Sequence, residues 1–315
     1  MGPRKDTTTR GGANSKRGKG RSTIPTTQQV GILVQDLLHA EDYDRYIEKF
    51  QSIKDVSPQF YCSLWDIECT GFDFHELLRF QNLGTFVELK KGYDESQIKP
   101  LYCNVERQDS VSFECAFKIV RVSLNLEKWN TLVQLDCSGV DIEVKDTFTN
   151  YNKIDFVKSV SKTGFGELSF SNFSPLQLKY VDRLLHWVVV KIIMCKQHNY
   201  GRIDDYDLSI IWLLKNKIKV NWPLFFSNRM ISYKNDSKRN LPYPSFISRL
   251  LKVDRVTSVN TLLTKPSEVS GLDAKVVQKM HYVKESKGNW YYDDNGVWYN
   301  DFIVVAEGTD PESVI

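Results

Sequence analysis

Apolar positions recur at spacings of three and four through residues 174–253, the pattern that the buried face of an amphipathic helix produces. Ser174 and Pro175 suit an N-cap and a first helical position, so a helix is predicted to begin there and to end near His198 and Gly201. The predicted buried stripe of this helix consists of Leu178, Val181, Leu184, Leu185, Val188 and Ile192.

Three more helices are predicted in the same stretch. Asp204 or Asp205 is the expected cap of the second helix, because an acidic side chain accepts hydrogen bonds from the free N–H groups at a helix start. Pro223 opens the third helix and Pro244 opens the fourth. These patterns predict a compact helical module over residues 166–265.

The amino half of the chain combines two kinds of pattern. Helical periodicity marks three stretches, which are residues 30–50, 72–83 and 126–135. Residues 111–124 instead alternate and are rich in β-branched and aromatic residues, which predicts one or two strands. Residues 141–173 mix polar residues and glycine with scattered aromatics, which predicts a linker or a long loop.

Near the carboxy terminus, Asn295-Gly296 is a strong signal for a type I′ turn and has aromatic residues on both sides, which predicts a β-hairpin. The patterns together predict a mainly α (α+β) fold, with a multi-helix body, a small β element in the amino half and this carboxy-terminal hairpin. The predicted segments are a basic tail (1–29), a mixed α/β region (30–165), the helical module (166–265), a linker with the hairpin (266–305) and a flexible tail (306–315).

Charge is distributed unevenly along the 315 residues. Residues 1–29 contain seven Lys and Arg against the single Asp6, whereas the remainder contains 35 basic and 38 acidic residues, for a formal net charge of +3. The tail also has one large aliphatic residue, Ile24, so it cannot bury enough apolar surface to offset the entropy of ordering. It is therefore predicted to be disordered.

The candidate binding residues lie in this tail and are Lys16, Arg17, Lys19 and Arg21. Such a cluster suits the acidic groove of a nuclear-import receptor or the phosphates of a nucleic acid, and it equally suits a tail that only keeps the protein in solution. The sequence predicts a nuclear or cytoplasmic protein, with the nucleus favoured, that is not secreted, because the amino terminus has no apolar signal segment.

No membrane partner is predicted either. The longest apolar stretch, residues 184–195, is shorter than the roughly 20 residues of a membrane span and is interrupted by His186 and Lys191.

The order of these elements resembles a family of plant transposon protein domains. The resemblance covers roughly residues 75–256 and rests on four blocks, which are Leu101-Tyr102-Cys103-Asn104, Arg183-Leu184-Leu185-His186-Trp187, Asp207-Leu208 leading to Asn221-Trp222-Pro223, and Met230 followed by Leu241-Pro242-Tyr243-Pro244. Members occur in gag-flanking and envelope-like open reading frames of plant long-terminal-repeat retrotransposons. The resemblance implies an element-derived protein, and it transfers no catalytic residues.

The six cysteines have no C-x-x-C spacing, so reduced and mostly buried thiols are predicted. Cys195 and His198 have ligand-like spacing, but one such pair cannot complete a tetrahedral zinc site. No metal site and no cofactor are predicted.

Two short motifs resemble catalytic loops of retroelement enzymes. Tyr291-Tyr292-Asp293-Asp294 matches the reverse-transcriptase pattern, but polar flanks and the following turn favour a hairpin. Asp136-Cys137-Ser138-Gly139 resembles an aspartic-protease loop, but the inserted cysteine breaks the consecutive order that brings two carboxylates together, which favours a surface turn.

His186 is the remaining candidate for chemistry. It lies four residues after Asp182, whose carboxylate would orient the ring, yet on a nearly all-apolar helix a satisfied core histidine is favoured. The sequence thus predicts no catalytic residue and no enzyme. It predicts a retrotransposon-derived structural or interaction module that associates with itself or with a protein partner. The alternative is a domesticated nucleic-acid-binding protein that contacts RNA or DNA weakly through its basic tail.

Overall fold

The computed structural model of the chain describes ten stretches, which are residues 34–69, 72–162, 173–198, 200–256, 263–265, 269–279, 282–284, 290–294, 297–299 and 304–306. The fold is mainly α with some β, as predicted. The helices are α1 (Val34–Leu37), α2 (Ala40–Tyr46), α3 (Leu64–Cys69), α4 (Phe74–Phe80), α5 (Gly84–Val87), α6 (Glu95–Asn104), α7 (Leu126–Val133), α8 (Lys153–Val160), α9 (Tyr180–Val188), α10 (Asp205–Lys215), α11 (Trp222–Asn235), α12 (Pro244–Val253) and α13 (Ala274–Lys279).

Two π-helical turns, Ile47–Gln51 and Val189–Ile193, extend α2 and α9, and 3₁₀ turns span Lys145–Phe148 and Pro175–Gln177. The strands are β1 (Phe60–Cys62), β2 (Tyr93–Asp94), β3 (Val105–Arg107), β4 (Phe113–Ala116), β5 (Arg121–Leu124), β6 (Leu263–Thr264), β7 (Ser270–Leu272), β8 (Tyr282–Lys284), β9 (Trp290–Asp294), β10 (Val297–Tyr299) and β11 (Val304–Ala306).

The strands form small sheets. The predicted strands of the amino half are β4 and β5, which form an antiparallel sheet with β3. β1 pairs in parallel with β7, and β2 pairs antiparallel with β6. These two pairs join segments about 210 and about 170 residues apart in the chain, so they depend on tertiary packing rather than on local turns.

The predicted carboxy-terminal hairpin is confirmed. β9 and β10 pair antiparallel, with Asp294 opposite Val297 and Tyr292 opposite Tyr299, and the predicted turn residues Asn295 and Gly296 lie outside the described residues. The hairpin is the centre of a four-stranded sheet in the order β11-β10-β9-β8, which is larger than the sequence predicts. The tyrosine and aspartate motif at residues 291–294 therefore belongs to a strand of this sheet.

The starts of α10, α11 and α12 follow the sequence prediction closely. Asp204 caps α10, where its carboxylate accepts a hydrogen bond of 2.9 Å from the backbone N–H of Asp207. Pro223 and Pro244 both lie in the first turns of their helices, α11 and α12. Local capping chemistry is sufficient to position these three starts.

The first helix of the module begins later than predicted. Ser174 caps only the 3₁₀ turn, in a capping box with Gln177, and α9 starts at Tyr180. The reason is tertiary, because the intervening backbone pairs with the end of α8, with Lys179 N–H donating to the Val160 carbonyl at 2.8 Å. The helix also ends earlier, after its π turn, since Cys195 has a left-handed φ of 47°.

The linker predicted at residues 141–173 is wrong in part, because α8 occupies Lys153–Val160. Asn152 caps it by accepting hydrogen bonds from the N–H groups of Ile154 and Asp155 at 3.0 and 3.3 Å. Its buried side chains are Phe156, Val157 and Val160. A helix of only two turns shows too few repeats for its period to stand out among the polar residues of its exposed faces.

The core is organised around a cluster of aromatic rings from both halves of the chain. Trp129 of α7 stacks on Phe246 of α12, with ring centroids 4.6 Å apart, and Phe86 of α5 stacks on Phe226 of α11 at 4.2 Å. Tyr243 contacts Phe226 edge-on at 5.1 Å. Such rings bury large areas and stack specifically, and this cluster joins α7, α11 and α12.

The conformation of Tyr243 depends on that packing. Its φ of 55° lies in the left-handed region, which a bulky residue rarely adopts. The ring is buried, and its hydroxyl donates a hydrogen bond of 2.7 Å to the carbonyl of Ile193. The block Leu241-Pro242-Tyr243-Pro244, which carries part of the family resemblance, is therefore a packing element.

Replacement of Trp129 by alanine is expected to lower the free energy of unfolding by about 4 kcal/mol, as for other large-to-small changes of buried aromatic residues. Trp129 is 0% exposed and donates a hydrogen bond of 3.0 Å from Nε1 to the carbonyl of Val111, so both packing and a buried hydrogen bond are lost. Urea denaturation followed by far-UV circular dichroism measures the change. The matched control is Trp65→Ala. The Trp65 side chain is 69% exposed, so its replacement should lower the free energy of unfolding by less than about 1 kcal/mol. Equal losses for the two variants would contradict the assigned core.

Candidate functional site

The tail residues Lys16, Arg17, Lys19 and Arg21 lie outside the described residues. A functional site in the described part of the chain must therefore come from the body. There, four cationic side chains line each of two pockets, one beside α12 and one beside α11.

The pocket beside α12 is an open groove of about 710 Å³ between that helix and the segment that follows α5. We call it the basic groove and define it by four residues, Lys90, Lys91, Arg249 and Lys252. Thr85, Glu88, Leu89 and Val253 complete its lining.

The helix α12 places its two cations by simple helical geometry. Its inward face buries Phe246, Ile247, Leu250 and Leu251. Arg249 and Lys252 are three positions apart, so they lie one above the other on the same side of the helix. Lys252 is exposed and Arg249 is half-buried.

The opposite wall is held by contacts to α12 and β1. The Ser245 hydroxyl at the start of α12 donates a hydrogen bond to the backbone carbonyl of Lys91. The ammonium group of Lys90 donates to the Tyr61 hydroxyl at 2.9 Å and lies 4.6 Å from the centre of that ring. That hydroxyl raises the pKa of Lys90 above its ordinary value. The two lysines are therefore fixed to the same framework as the helix they face.

The groove carries an excess of positive charge. Among the described residues, no carboxylate forms a salt bridge with any of its four cations. Glu88 is the one acidic residue of the lining, and its carboxylate accepts a hydrogen bond from the N–H of Leu64 at 3.1 Å. Burial lowers the pKa of Lys91 below its ordinary value, and the like charges of Lys252 and Arg249 lower it further. The fold thus holds like charges together at an electrostatic cost.

Such a site is suited to binding anions. The Thr85 hydroxyl of the lining donates a hydrogen bond of 3.0 Å to the side-chain oxygen of Gln134. Lysine and arginine side chains along an open groove attract phosphate or carboxylate groups.

His186 is a buried core residue, but the carboxylate beside it is not the predicted one. Its Nε2 lies 3.6 Å from Oδ2 of Asp207 on α10, whereas the carboxylate of Asp182 pairs with the ammonium group of Lys215. The i, i+4 spacing gave the wrong partner because α10 packs directly against α9 and its π turn.

Asp207 is the centre of a buried ionic network. Lys196 Nζ lies 2.6 Å from Oδ1 of Asp207 and 2.6 Å from Oδ2 of Asp204. Burial opposes ionisation of Asp207, but the contacts with His186 and Lys196 outweigh it, so the pKa of this carboxyl lies below its ordinary value. The network joins α9, α10 and the turn between them, which is a structural role.

Burial disfavours reactivity at the described cysteine side chains, and the protease-like loop closes a local turn. Cys62, Cys103, Cys115, Cys137 and Cys195 are free, and burial raises the pKa of Cys195 to about 12, which disfavours its thiolate. The Asp136 carboxylate accepts a hydrogen bond of 2.8 Å from the N–H of Ser138, closing a local turn. In the described stretches, no three His, Cys, Asp or Glu side chains are grouped to hold a metal ion.

No protein-family model, no curated protein and no solved structure matches this chain. The resemblance to plant transposon domains therefore stays a prediction that rests on the residues quoted for it. Of the helices in the described ranges, none is long and apolar enough to cross a membrane.

The sequence interpretation missed the basic groove. The adjacent pair Lys90-Lys91 and the i, i+3 pair of Arg249 and Lys252 are both visible in the sequence. Nothing local indicates that segments about 160 residues apart face each other.

Replacement of Lys252 by glutamine is expected to raise the pKa of Lys91 toward its ordinary value, because one of the like charges that lowers it is removed. The pH titration of the ¹³C-labelled lysine side chains by NMR measures this change. Lys158→Gln, at an exposed position of α8 outside the groove, is the control and should leave the pKa of Lys91 unchanged. An unchanged pKa in both variants would contradict the electrostatic coupling in the groove.

Replacement of Asp207 by asparagine is expected to lower the free energy of unfolding by about 3 kcal/mol at pH 7. It removes one of the two carboxylates that pair with the largely buried ammonium group of Lys196. The folded pKa of Asp207 is below the ordinary value of an aspartate, so this contribution is present above about pH 4, where the unfolded carboxyl is ionised, and is lost as the pH falls through the folded pKa. Urea denaturation at pH 7 and at acidic pH measures both effects. Asp205→Asn, at a neighbouring side chain that is 78% exposed, is the control and should change stability by less than about 1 kcal/mol. A pH-independent loss in the Asp207 variant would contradict the network.

Proposed function

We propose that this chain is a non-enzymatic interaction module that binds single-stranded nucleic acid through the phosphate backbone. The observation that carries the proposal is the basic groove, where four cations converge without a salt bridge to a described carboxylate. Neutralisation of phosphates by lysine and arginine supplies most of the affinity of sequence-independent binding. A polyanion in the groove would also relieve the repulsion between Lys91, Arg249 and Lys252.

The composition of the groove favours backbone contacts over reading of bases. Apart from the four cations, its lining consists of Thr85, Glu88, Leu89 and Val253. This set has no aromatic ring for base stacking and no amide side chain for bidentate contacts to base edges. The expected binding is therefore sequence-independent and strongly dependent on salt.

The predicted basic tail supports the same ligand. Lys16, Arg17, Lys19 and Arg21 are cationic like the groove, so a polyanionic ligand suits both elements. In this proposal the groove binds and the tail adds phosphate contacts. The tail is also the feature that favours a nuclear location over a cytoplasmic one.

The proposed origin is a separate matter and rests on the sequence resemblance alone. We propose descent from an open reading frame of a plant retrotransposon, and the resembling residues Trp222, Pro223, Tyr243 and Pro244 are buried in this fold. The residues that carry the resemblance therefore contribute to packing and indicate no binding or catalytic site. Location of the gene between long terminal repeats, beside gag and polymerase frames, would support this origin. An isolated gene with introns would oppose it.

The binding proposal is tested by fluorescence anisotropy with a labelled 30-nucleotide polyuridine strand, measured across a series of salt concentrations. The groove variant replaces Lys90, Lys91, Arg249 and Lys252 by glutamine in the full-length chain. Because each phosphate contact contributes about 0.7 to the salt slope for single strands, the slope of log K against log salt should become shallower by about 3. The tail variant, with the same replacement at Lys16, Arg17, Lys19 and Arg21, should retain the groove contribution.

The matched control removes the same number of charges from exposed positions outside the groove, by glutamine replacements at Lys158, Arg202, Lys217 and Lys275. It should bind with nearly the wild-type slope. Full loss of binding in the tail variant, with no change in the groove variant, would assign binding to the tail and contradict the proposal. Absence of binding by the wild-type protein would favour a protein partner or self-association instead.

A further inference from the structure

A second pocket of about 450 Å³ lies between α2 with its π turn, α6 and the carboxy-terminal end of α11. We call it the inner pocket. It is lined by Arg45, Lys49, Phe50, Ile53, Lys54, Cys103, Lys234, Asn235 and Ser237. Its volume is within the range of small-molecule sites, and none of its lining residues belongs to the basic groove.

The inner pocket has a large surplus of positive charge. Four of its lining residues are cationic, and none is acidic. Of the described carboxylates, only that of Asp42 forms a salt bridge with one of them, at 2.7 Å from the Arg45 guanidinium. Glu106 and Asp236 act on Lys234 and Lys54 only at longer range. About three positive charges therefore remain uncompensated at close range.

One of these cations, Lys54, has a structural role. The ammonium group of Lys54 donates to the backbone carbonyls of Tyr233, Asp236 and Arg239, which uses all three of its N–H groups. It thereby caps the end of α11, whose free carbonyls would otherwise repel an anion. Lys54 contributes charge to the pocket but no free donor.

The other three cations retain donors for a ligand. Lys234 donates to the carbonyl of Val105, which leaves two of its three N–H groups. Arg45 uses Nη2 for Asp42 and Asn104, and its guanidinium also contacts the Cys103 thiol, a weak acceptor that an anion could replace. Lys49 makes no hydrogen bond or salt bridge to a described residue and is exposed at the mouth. These donors outnumber the acceptor sites that a single carboxylate offers.

The surroundings of the cations also favour occupancy by an anion. Burial lowers the pKa of Lys234, and the neighbouring charge of Arg45 lowers it further. Burial likewise lowers the pKa of Lys54. A negative group in the pocket would stabilise both ammonium groups.

We infer that the inner pocket binds a phosphate monoester that carries a small apolar or aromatic group. The phosphate would accept hydrogen bonds from Arg45, Lys49 and Lys234, and its organic part would lie against Phe50 and Ile53. A phosphate monoester has three terminal oxygens and nearly two negative charges at neutral pH, which matches the donors and the surplus charge better than a carboxylate does. This inference goes beyond the proposed function and is independent of the basic groove.

The experiment is isothermal titration calorimetry of the full-length protein with adenosine 5′-monophosphate, with adenosine and with inorganic phosphate. We expect adenosine 5′-monophosphate to bind with a dissociation constant below about 1 mM, adenosine not to bind, and inorganic phosphate to bind more weakly. Lys234→Met and Lys49→Gln should each weaken binding of the nucleotide about tenfold, the loss of one charge-assisted hydrogen bond. Because Lys49 is exposed and has no described partner, its variant keeps the test valid if Lys234→Met fails to fold.

Two control variants test whether the nucleotide binds in the inner pocket. Lys158→Gln removes one exposed charge elsewhere, and the groove variant removes four, and both should bind the nucleotide as the wild-type protein does. Absence of nucleotide binding, equal binding of adenosine, or wild-type affinity in both Lys49→Gln and Lys234→Met would overturn the inference. Loss of binding in the groove variant alone would overturn it as well, since it would place the nucleotide in the groove.

A competition experiment distinguishes two sources of the phosphate group, the 5′ end of a nucleic-acid strand and a free phosphate monoester. A short oligonucleotide with a 5′-phosphate is compared with the same strand ending in a 5′-hydroxyl, each added to the nucleotide complex. Displacement by the phosphorylated strand alone would support the site and assign it to strand ends. Displacement by neither strand would support the site and assign it to free phosphate monoesters. Equal displacement by both strands would contradict recognition of the terminal phosphate.

Discussion

The stack of aromatic rings between α7, α11 and α12 is the interaction on which the rest of the structure depends. Trp129 and Phe246 lie 4.6 Å apart and belong to segments separated by more than a hundred residues. Their contact is buried, and the surrounding rings Phe86, Phe226 and Tyr243 continue it. Because large rings bury the most apolar area, this cluster fixes the position of α12 relative to the amino half of the chain.

The basic groove is a consequence of that position. The face of α12 that buries Phe246 and Leu250 leaves Arg249 and Lys252 on the other side, where they meet Lys90 and Lys91. Like charges repel, so the groove exists only because core packing outweighs that repulsion. The same reasoning applies to the inner pocket, where Lys54 caps α11 and brings its charge close to Arg45 and Lys234. In both places cations lie close together, an arrangement that an anionic ligand would stabilise.

Parts of this architecture could be predicted from local sequence. Asp204, Pro223 and Pro244 give the starts of α10, α11 and α12, and Asn295-Gly296 gives the hairpin, because capping and turn chemistry act within a few residues. The start of α9 could not be predicted, since the backbone before it pairs with the end of α8. The partner of His186 was missed for a similar reason, because Asp207 belongs to another helix. The two cationic sites combine residues that are remote in sequence, so no local pattern reveals them.

The central claim is that the cations of the basic groove contact the backbone of a nucleic acid. Lysine acetylation of the full-length protein, read residue by residue by mass spectrometry with and without polyuridine, tests it most directly. The account predicts that RNA protects Lys90, Lys91 and Lys252 from modification, while the exposed Lys158 and Lys275 react equally in both samples. Protection confined to Lys16 and Lys19 of the tail, with unchanged reactivity in the groove, would contradict it.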